Sequence, residues 1–201
     1  MEKGSVPLSP GPLSLIGVLI SGRGSNLQAL ARAIDDGRLR ARIVVVVSNR
    51  ADAPGLGIAR AIGAEAVVMP HREWPSREAY DRALVDALRA RGVSLVCLAG
   101  FMRLLGPAFC EAFPNGVLNI HPSLLPAFPG VDAQRQAFEH GVKVTGATVH
   151  FVTPELDAGP IVDQVAVPVE AHDTAESLAA RSLAAEHQLY PAAVARVLAG
   201  G

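Results

Sequence analysis

The sequence predicts a doubly wound α/β fold, built on a mostly parallel sheet and continued by an antiparallel strand pair. Three observations carry this. Short apolar runs alternate with segments of helical periodicity through the first half of the chain. One of those runs, Ile43-Val44-Val45-Val46-Val47, is apolar at every position, as a strand covered on both faces requires. After Gly100 the rhythm changes. Val144 to Val152 and Pro160 to Val169 are strand-like stretches separated by a loop of about seven residues, short enough for an antiparallel pair.

Taken in order, Leu15 to Ile20 is the first strand. A helix runs from Ser25 to Asp36, with Leu27, Leu30, Ala31 and Ile34 on one face and Gly37 to end it. After the valine strand, a short helix around Leu56 to Ile62 stops at Gly63, and Ala66 to Met69 is the third strand. Ser76 caps a longer helix on which Tyr80, Leu84 and Leu88 align before Gly92. Val93 to Ala99 is the fourth strand. This half is Rossmann-like, with sites expected at the carboxyl ends of its strands. Farther on, Asp173-Thr174-Ala175-Glu176 opens the last helix with Asp173 as cap, and Pro191 breaks or kinks it.

At 201 residues, half of them apolar, with a net charge of −1, the chain reads as one globular domain over residues 13–201. Residues 1–12, rich in Pro, Gly and Ser, read as a disordered leader. The charge balance opposes a nucleic-acid partner, and the apolar run Leu13 to Ile20 is too short for a signal or membrane span. A cytoplasmic protein is expected. The two cysteines, Cys97 and Cys110, read as buried apolar residues.

Ser21-Gly22-Arg23-Gly24-Ser25-Asn26-Leu27 lies between the first strand and the first helix. Backbone N–H groups freed at such a helix start make an anion cradle. A dinucleotide fingerprint needs a third glycine and an acidic residue where the chain has Leu27 and Ser48-Asn49, and a triphosphate loop needs Gly-Lys-Ser/Thr. A monophosphate site remains, beside the plainer reading of a tight turn.

The richest stretch is Asn119-Ile120-His121-Pro122-Ser123-Leu124-Leu125-Pro126, with Asp157 in the later loop Glu155-Leu156-Asp157-Ala158-Gly159. An amide can steady an oxyanion, an imidazole can move a proton, and a carboxylate can hold the imidazole charged. The two prolines keep this segment out of the interior of a helix or strand, so a shaped loop is expected, with Leu125-Pro126 a candidate cis peptide. His150 stays open between core packing, orienting a neighbour and touching substrate. His71, His140, His172 and His187 read as surface or loop residues. With no HExxH pattern or paired Cys/His spacing, no metal site is expected.

Six stretches together resemble the glycinamide ribonucleotide formyltransferases: Ser21 to Leu27, Ser48 to Ala53, Ser76 to Tyr80, Leu98 to Leu105, Asn119 to Pro126, and Glu155 to Pro160. The resemblance implies the formyltransferase fold, with Asn119, His121 and Asp157 as catalytic residues. It implies a phosphate loop at Gly24, Ser25 and Asn26, with Glu186 near the substrate ribose. Folate contacts fall on Arg77, Met102, Arg103, Leu104 and Leu105, with Asn119 at the formyl end. Met102, Leu104 and Leu105 are expected to form an apolar slot for the pterin.

The implied reaction moves the formyl group of 10-formyltetrahydrofolate, a co-substrate, to the amine of glycinamide ribonucleotide. A homodimer is compatible with this and is not indicated by the sequence. Methionyl-tRNA formyltransferase and formyltetrahydrofolate deformylase are the nearest rivals. The first is expected to need a further RNA-binding domain, and the second a further histidine where this chain has Pro122. A non-catalytic nucleotide sensor is the rival from another class.

Overall fold

The strands β1 (Ser14–Ile20), β2 (Ala41–Ser48), β3 (Glu65–Val68), β4 (Leu95–Leu98), β5 (Val117–His121), β6 (Val144–Phe151) and β7 (Ile161–Pro168) form one sheet. Their order is β3-β2-β1-β4-β5-β6-β7. This is a computed structural model and it describes residues 13–200, so the expected leader lies outside the described residues. Strands β1 to β5 run parallel, while β6 is antiparallel to both β5 and β7.

Alternation along the parallel strands builds two cores. On β1, Ile16, Val18 and Ile20 point into one cluster and Leu19 into the other; on β2, Val46 joins the first, Val45 and Val47 the second. Helices α1 (Ser25–Asp35) and α6 (Ala175–Leu198) cover the first face through Leu27, Leu30, Tyr190 and Val194. Helices α3 (Arg77–Arg89) and α4 (Pro107–Ala112) cover the second through Tyr80, Leu84, Leu88 and Phe109. Helix α2 (Gly55–Ala61) follows β2, and α5 (Ala133–His140) precedes β6. The Tyr190 hydroxyl reaches the carbonyl oxygens of Leu98 and Leu118 at 3.0 and 3.1 Å, tying α6 to β4 and β5.

Four local expectations are corrected. Asn119 to His121 are not loop: they end β5, paired to β4 and β6, because the prolines begin only at Pro122. Of the two expectations at Pro191, a break is excluded: helix α6 is continuous there, Pro191 is buried, and the core contacts of Tyr190, Ala193 and Val194 around it offset the lost N–H. Its cap is Thr174, which accepts from the Ser177 N–H while Ser177 returns the bond, rather than Asp173. Asp173 instead pairs with Arg181 at 2.6 Å, and that bond holds its carboxyl well below the usual range. Helices α4 and α5 and a one-turn 3-10 helix at His71–Glu73 were not predicted.

Strand order reverses between β1 and β4, and the crevice at such a reversal is where ligands bind doubly wound sheets. The glycine loop follows β1, the Gly100 to Leu105 segment follows β4, and Asn119 and His121 end β5. All face the carboxyl edge.

Candidate active site

The glycine loop turns sharply because Gly24 has φ 77°, and a Cβ there would lie 2.8 Å from the Gly55 Cα. Only glycine fits both constraints. Helix α1 then starts at Ser25 with no side-chain cap, so its first N–H groups are left for a ligand. They border a cavity of 240 Å³ lined by Gly22, Gly24, Ser25, Asn26 and Gly100. The Asn26 amide donates to Glu186 at 2.8 Å, and both residues are buried. Burial pushes the Glu186 carboxyl above its ordinary range, and the Asn26 bond pulls partly back. The structure thus brings Gly24, Ser25, Asn26 and Glu186 to one place.

Asn119, His121 and Asp157 also converge. Asn119 and His121, two apart on β5, share a face. The Asp157 carboxylate lies 3.3 Å from His121 Nδ1 and 3.7 Å from His150 Nε2, and it accepts from the Gly130 N–H at 2.8 Å. Its backbone is left-handed, φ 49°, a conformation that aspartate tolerates better than most residues. Gly159 lets this loop close on β6, since a Cβ there would meet the Phe151 carbonyl oxygen.

The hydrogen bonds assign protons. His121 Nε2 lies 2.8 Å from the Phe128 carbonyl, which can only accept, and its Nδ1 faces the Asp157 carboxylate. The Phe128 contact therefore puts a hydrogen on Nε2, and Nδ1 stands at ion-pair distance from the Asp157 carboxylate. His150 is the opposite case. Its Nδ1 meets the Phe151 carbonyl at 2.9 Å, so Nδ1 carries the hydrogen. Burial is the largest influence on its pKa and lowers it, so Nε2 is a bare acceptor. Asn119 Nδ2, 3.2 Å away, therefore donates one hydrogen to it and keeps the second free. His150, left open by the sequence, is the partner that orients the Asn119 amide. The antiparallel register, Asn119 opposite His150, is the signal that would have found it.

The expected folate contacts divide. Met102, which lines the crevice cavities, is 68% exposed and Leu104 49%, whereas Leu105 is 3% exposed and packed with Phe101 and Phe109. The Leu105 side chain is therefore core and does not line a slot. Arg77, half exposed at the start of α3, has its Nε 4.0 Å from Asp81. Arg103 has a buried Nε without a hydrogen-bond partner and stands close enough to His71 to lower its pKa, after burial itself. His71 and His187 are not simple surface residues, since each has a buried ring nitrogen and a pKa lowered first by burial. The Leu125-Pro126 bond is cis. Among the described residues, no group of three or more His, Cys, Asp or Glu is arranged to hold a metal ion, and no helix is long and apolar enough to cross a membrane.

A mixed sheet with an anion cradle and an Asn-His-Asp cluster at its carboxyl edge defines a class of group-transfer enzyme, and the chain belongs to the formyl transferase family, which it matches over residues 15–194. The particular likeness is narrower. The solved glycinamide ribonucleotide transformylase 1 of Symbiobacterium toebii is 54% identical, with a TM-score of 0.94 over 99% of this chain and 94% of that one. The phosphoribosylglycinamide formyltransferase of Escherichia coli (strain K12) is 47% identical over 174 residues, 87% of this chain and 82% of that protein. The trifunctional purine biosynthetic protein adenosine-3 of Gallus gallus is 46% identical over 185 residues, but this chain spans only 18% of its length.

Proposed function

We infer that this chain transfers the formyl group of 10-formyltetrahydrofolate to the amine of glycinamide ribonucleotide, releasing tetrahydrofolate, as a step of purine biosynthesis. The observation that carries the reading is the Asn119–His150–Asp157–His121 cluster, on the same carboxyl edge of the sheet as the glycine-loop cavity that Met102 lines. The ribonucleotide phosphate sits on the α1 N-terminus at Gly24, Ser25 and Asn26, with Glu186 beside its ribose. Met102 and Leu104 flank the pterin, and Arg77 is free enough to meet the folate tail carboxylate. The glycine loop and the cluster come from the two halves of one sheet, so residues 13–201 act as one catalytic domain. Cys97 and Cys110 are both free thiols, which suits a reducing compartment such as the cytoplasm.

The substrate amine attacks the formyl carbon, forming a C–N bond and a tetrahedral oxyanion. Asn119 donates its free amide hydrogen to that oxygen. His121, kept charged by Asp157, donates through Nε2, exchanging the Phe128 carbonyl for the oxyanion. Collapse breaks the bond to the folate nitrogen as the proton lost by the amine returns to it. Among the described residues no serine or cysteine hydrogen-bonds to His121, which supports direct transfer.

Spectroscopic detection of tetrahydrofolate tests this. Release is expected only when both substrates are present. Equal release without the ribonucleotide would identify a deformylase, and none with tight ribonucleotide binding would identify a sensor; either overturns the reading.

A further inference from the structure

One of the six matching stretches, Ser48 to Ala53, takes no part in the chemistry above. It ends β2 and walls an open cavity of 510 Å³, lined by Asn49, Arg50, Pro70, His71, Arg72 and Met102. The cavity lies at the carboxyl ends of β1 to β3 and shares Ser21 and Met102 with the glycine-loop cavity. The wall is rigid. The Ser48 hydroxyl donates to the Arg50 carbonyl at 2.8 Å and accepts from the Arg50 N–H at 3.1 Å.

Three features constrain what the cavity accepts. Asn49 is 7% exposed, yet its side-chain oxygen has no hydrogen-bond partner, and neither does His71 Nδ1. An unpaired buried acceptor is costly, and a group donating to it from the cavity removes that cost. A cation is available: among the described residues Arg72 carries no ion pair, whereas Arg50 is held by Asp52 in a two-point bond at 3.0 and 2.8 Å. Arg103 and Arg72 both act on His71, which burial already keeps neutral. Between the cations, Pro70 and Met102 give apolar walls suited to a flat ring.

We propose that this cavity is a second ligand site and binds a nucleoside monophosphate. The phosphate lies on Arg72, the base lies between Pro70 and Met102, and a base N–H donates to the Asn49 amide oxygen. A free phosphate satisfies only the cations, and a neutral nucleoside only Asn49 and the walls; the nucleotide satisfies all three. The site shares Met102 with the proposed pterin contact, but Asn49 and Arg72 take no part in the proposed formyl transfer, so their variants test this site independently.

Calorimetric titration of the full chain with adenosine 5′-monophosphate tests the proposal, with inorganic phosphate, ribose 5-phosphate and adenosine as parallel arms. The nucleotide is expected to bind at this cavity in addition to any binding of its phosphate at the glycine loop, and the part lost in Arg72→Ala reads this site. Arg72→Ala and Asn49→Ala should each weaken it by about tenfold or more, the loss of one hydrogen bond to a charged or buried group. Arg72 is exposed, so its variant folds even if Asn49→Ala does not. Ser25→Ala should leave this affinity within about twofold. Loss of binding in Ser25→Ala with no change in Arg72→Ala would place the nucleotide on the glycine loop and overturn the proposal. So would Arg72-dependent binding of phosphate or ribose 5-phosphate as tight as the nucleotide's, or no binding in any arm.

Discussion

Asp157→Asn separates charge from shape at the catalytic cluster. One carboxylate oxygen, Oδ2, meets both the Gly130 N–H and His121 Nδ1, so an asparagine oxygen placed there keeps both acceptor contacts. What disappears is the negative charge 3.3 Å from the imidazolium. At an effective dielectric of about 20, that separation corresponds to about 5 kcal/mol of gross attraction. Desolvation of the two groups offsets much of that attraction. The new NH₂ falls at the Oδ1 position, 3.7 Å from His150 Nε2, and competes with Asn119 for that lone pair. Losing the charged donor and loosening the amide together should lower kcat by about a hundredfold or more. KM for each substrate should change little, because neither group binds the phosphate or the pterin. Melting should stay within a few degrees of wild type, since the Gly130 contact survives. Steady-state tetrahydrofolate release, with a thermal melt of each protein, measures both. Turnover within tenfold of wild type, from a folded variant, refutes the charge-holding role.

Three further outcomes are expected. Ser25→Ala and Asn26→Ala should raise KM for the ribonucleotide several-fold and leave the folate KM unchanged; equal weakening of both would make the loop structural. Leu105→Ala should cost about 2–5 kcal/mol in urea unfolding as a core truncation, whereas Met102→Ala and Leu104→Ala should stay within about 0.5 kcal/mol and raise the folate KM instead. For pH, the lowered pKa of buried His150 means that the unfolded chain takes up a proton below about pH 6.5 while the folded one does not, so stability falls on acidification. His150→Gln removes that contribution and should flatten the decline between pH 6.5 and 5 by up to about 1.4 kcal/mol per pH unit. Identical slopes in the two proteins would show that His150 is not held neutral.

The parallel half was legible because its signals are local. Ile43 to Val47 could only be a strand covered on both sides, and Ser76 announces its helix by the bond it accepts from Ala79. Errors arose where tertiary contacts override local chemistry. Pro191 sits in a helix because the core holds Tyr190 and Val194 on either side of it. Leu105 resembles its neighbours Met102 and Leu104 in composition, and only the packing of Phe101 and Phe109 around it separates core from crevice. The prolines after His121 were read one strand-end too early. Two of the three residues before them are the proposed catalytic pair, so it matters that β5, and not a loop, holds them.

That strand placement explains how a small set of side chains is kept in register. Strand β6 lies opposite β5 with Thr148 across from His121 and His150 across from Asn119. Each side chain on β6 serves a different part of the site. His150 takes one amide hydrogen of Asn119 and so aims the other. The Thr148 hydroxyl donates to the Ser123 carbonyl at 2.7 Å and accepts from the Leu125 N–H at 3.0 Å. Gln164 on β7 adds donors to Thr148 and to the Leu125 carbonyl. This brace fixes the start of the loop that carries Phe128, whose backbone is itself left-handed at φ 52° and whose carbonyl occupies His121 Nε2. The braced end of that loop lies against β6, and the Phe128 carbonyl, which under the proposed mechanism yields to the oxyanion, lies beyond the brace. A substrate oxygen can therefore replace Phe128 at His121 without moving the strands that position Asn119, and the two oxyanion donors need not be disturbed together.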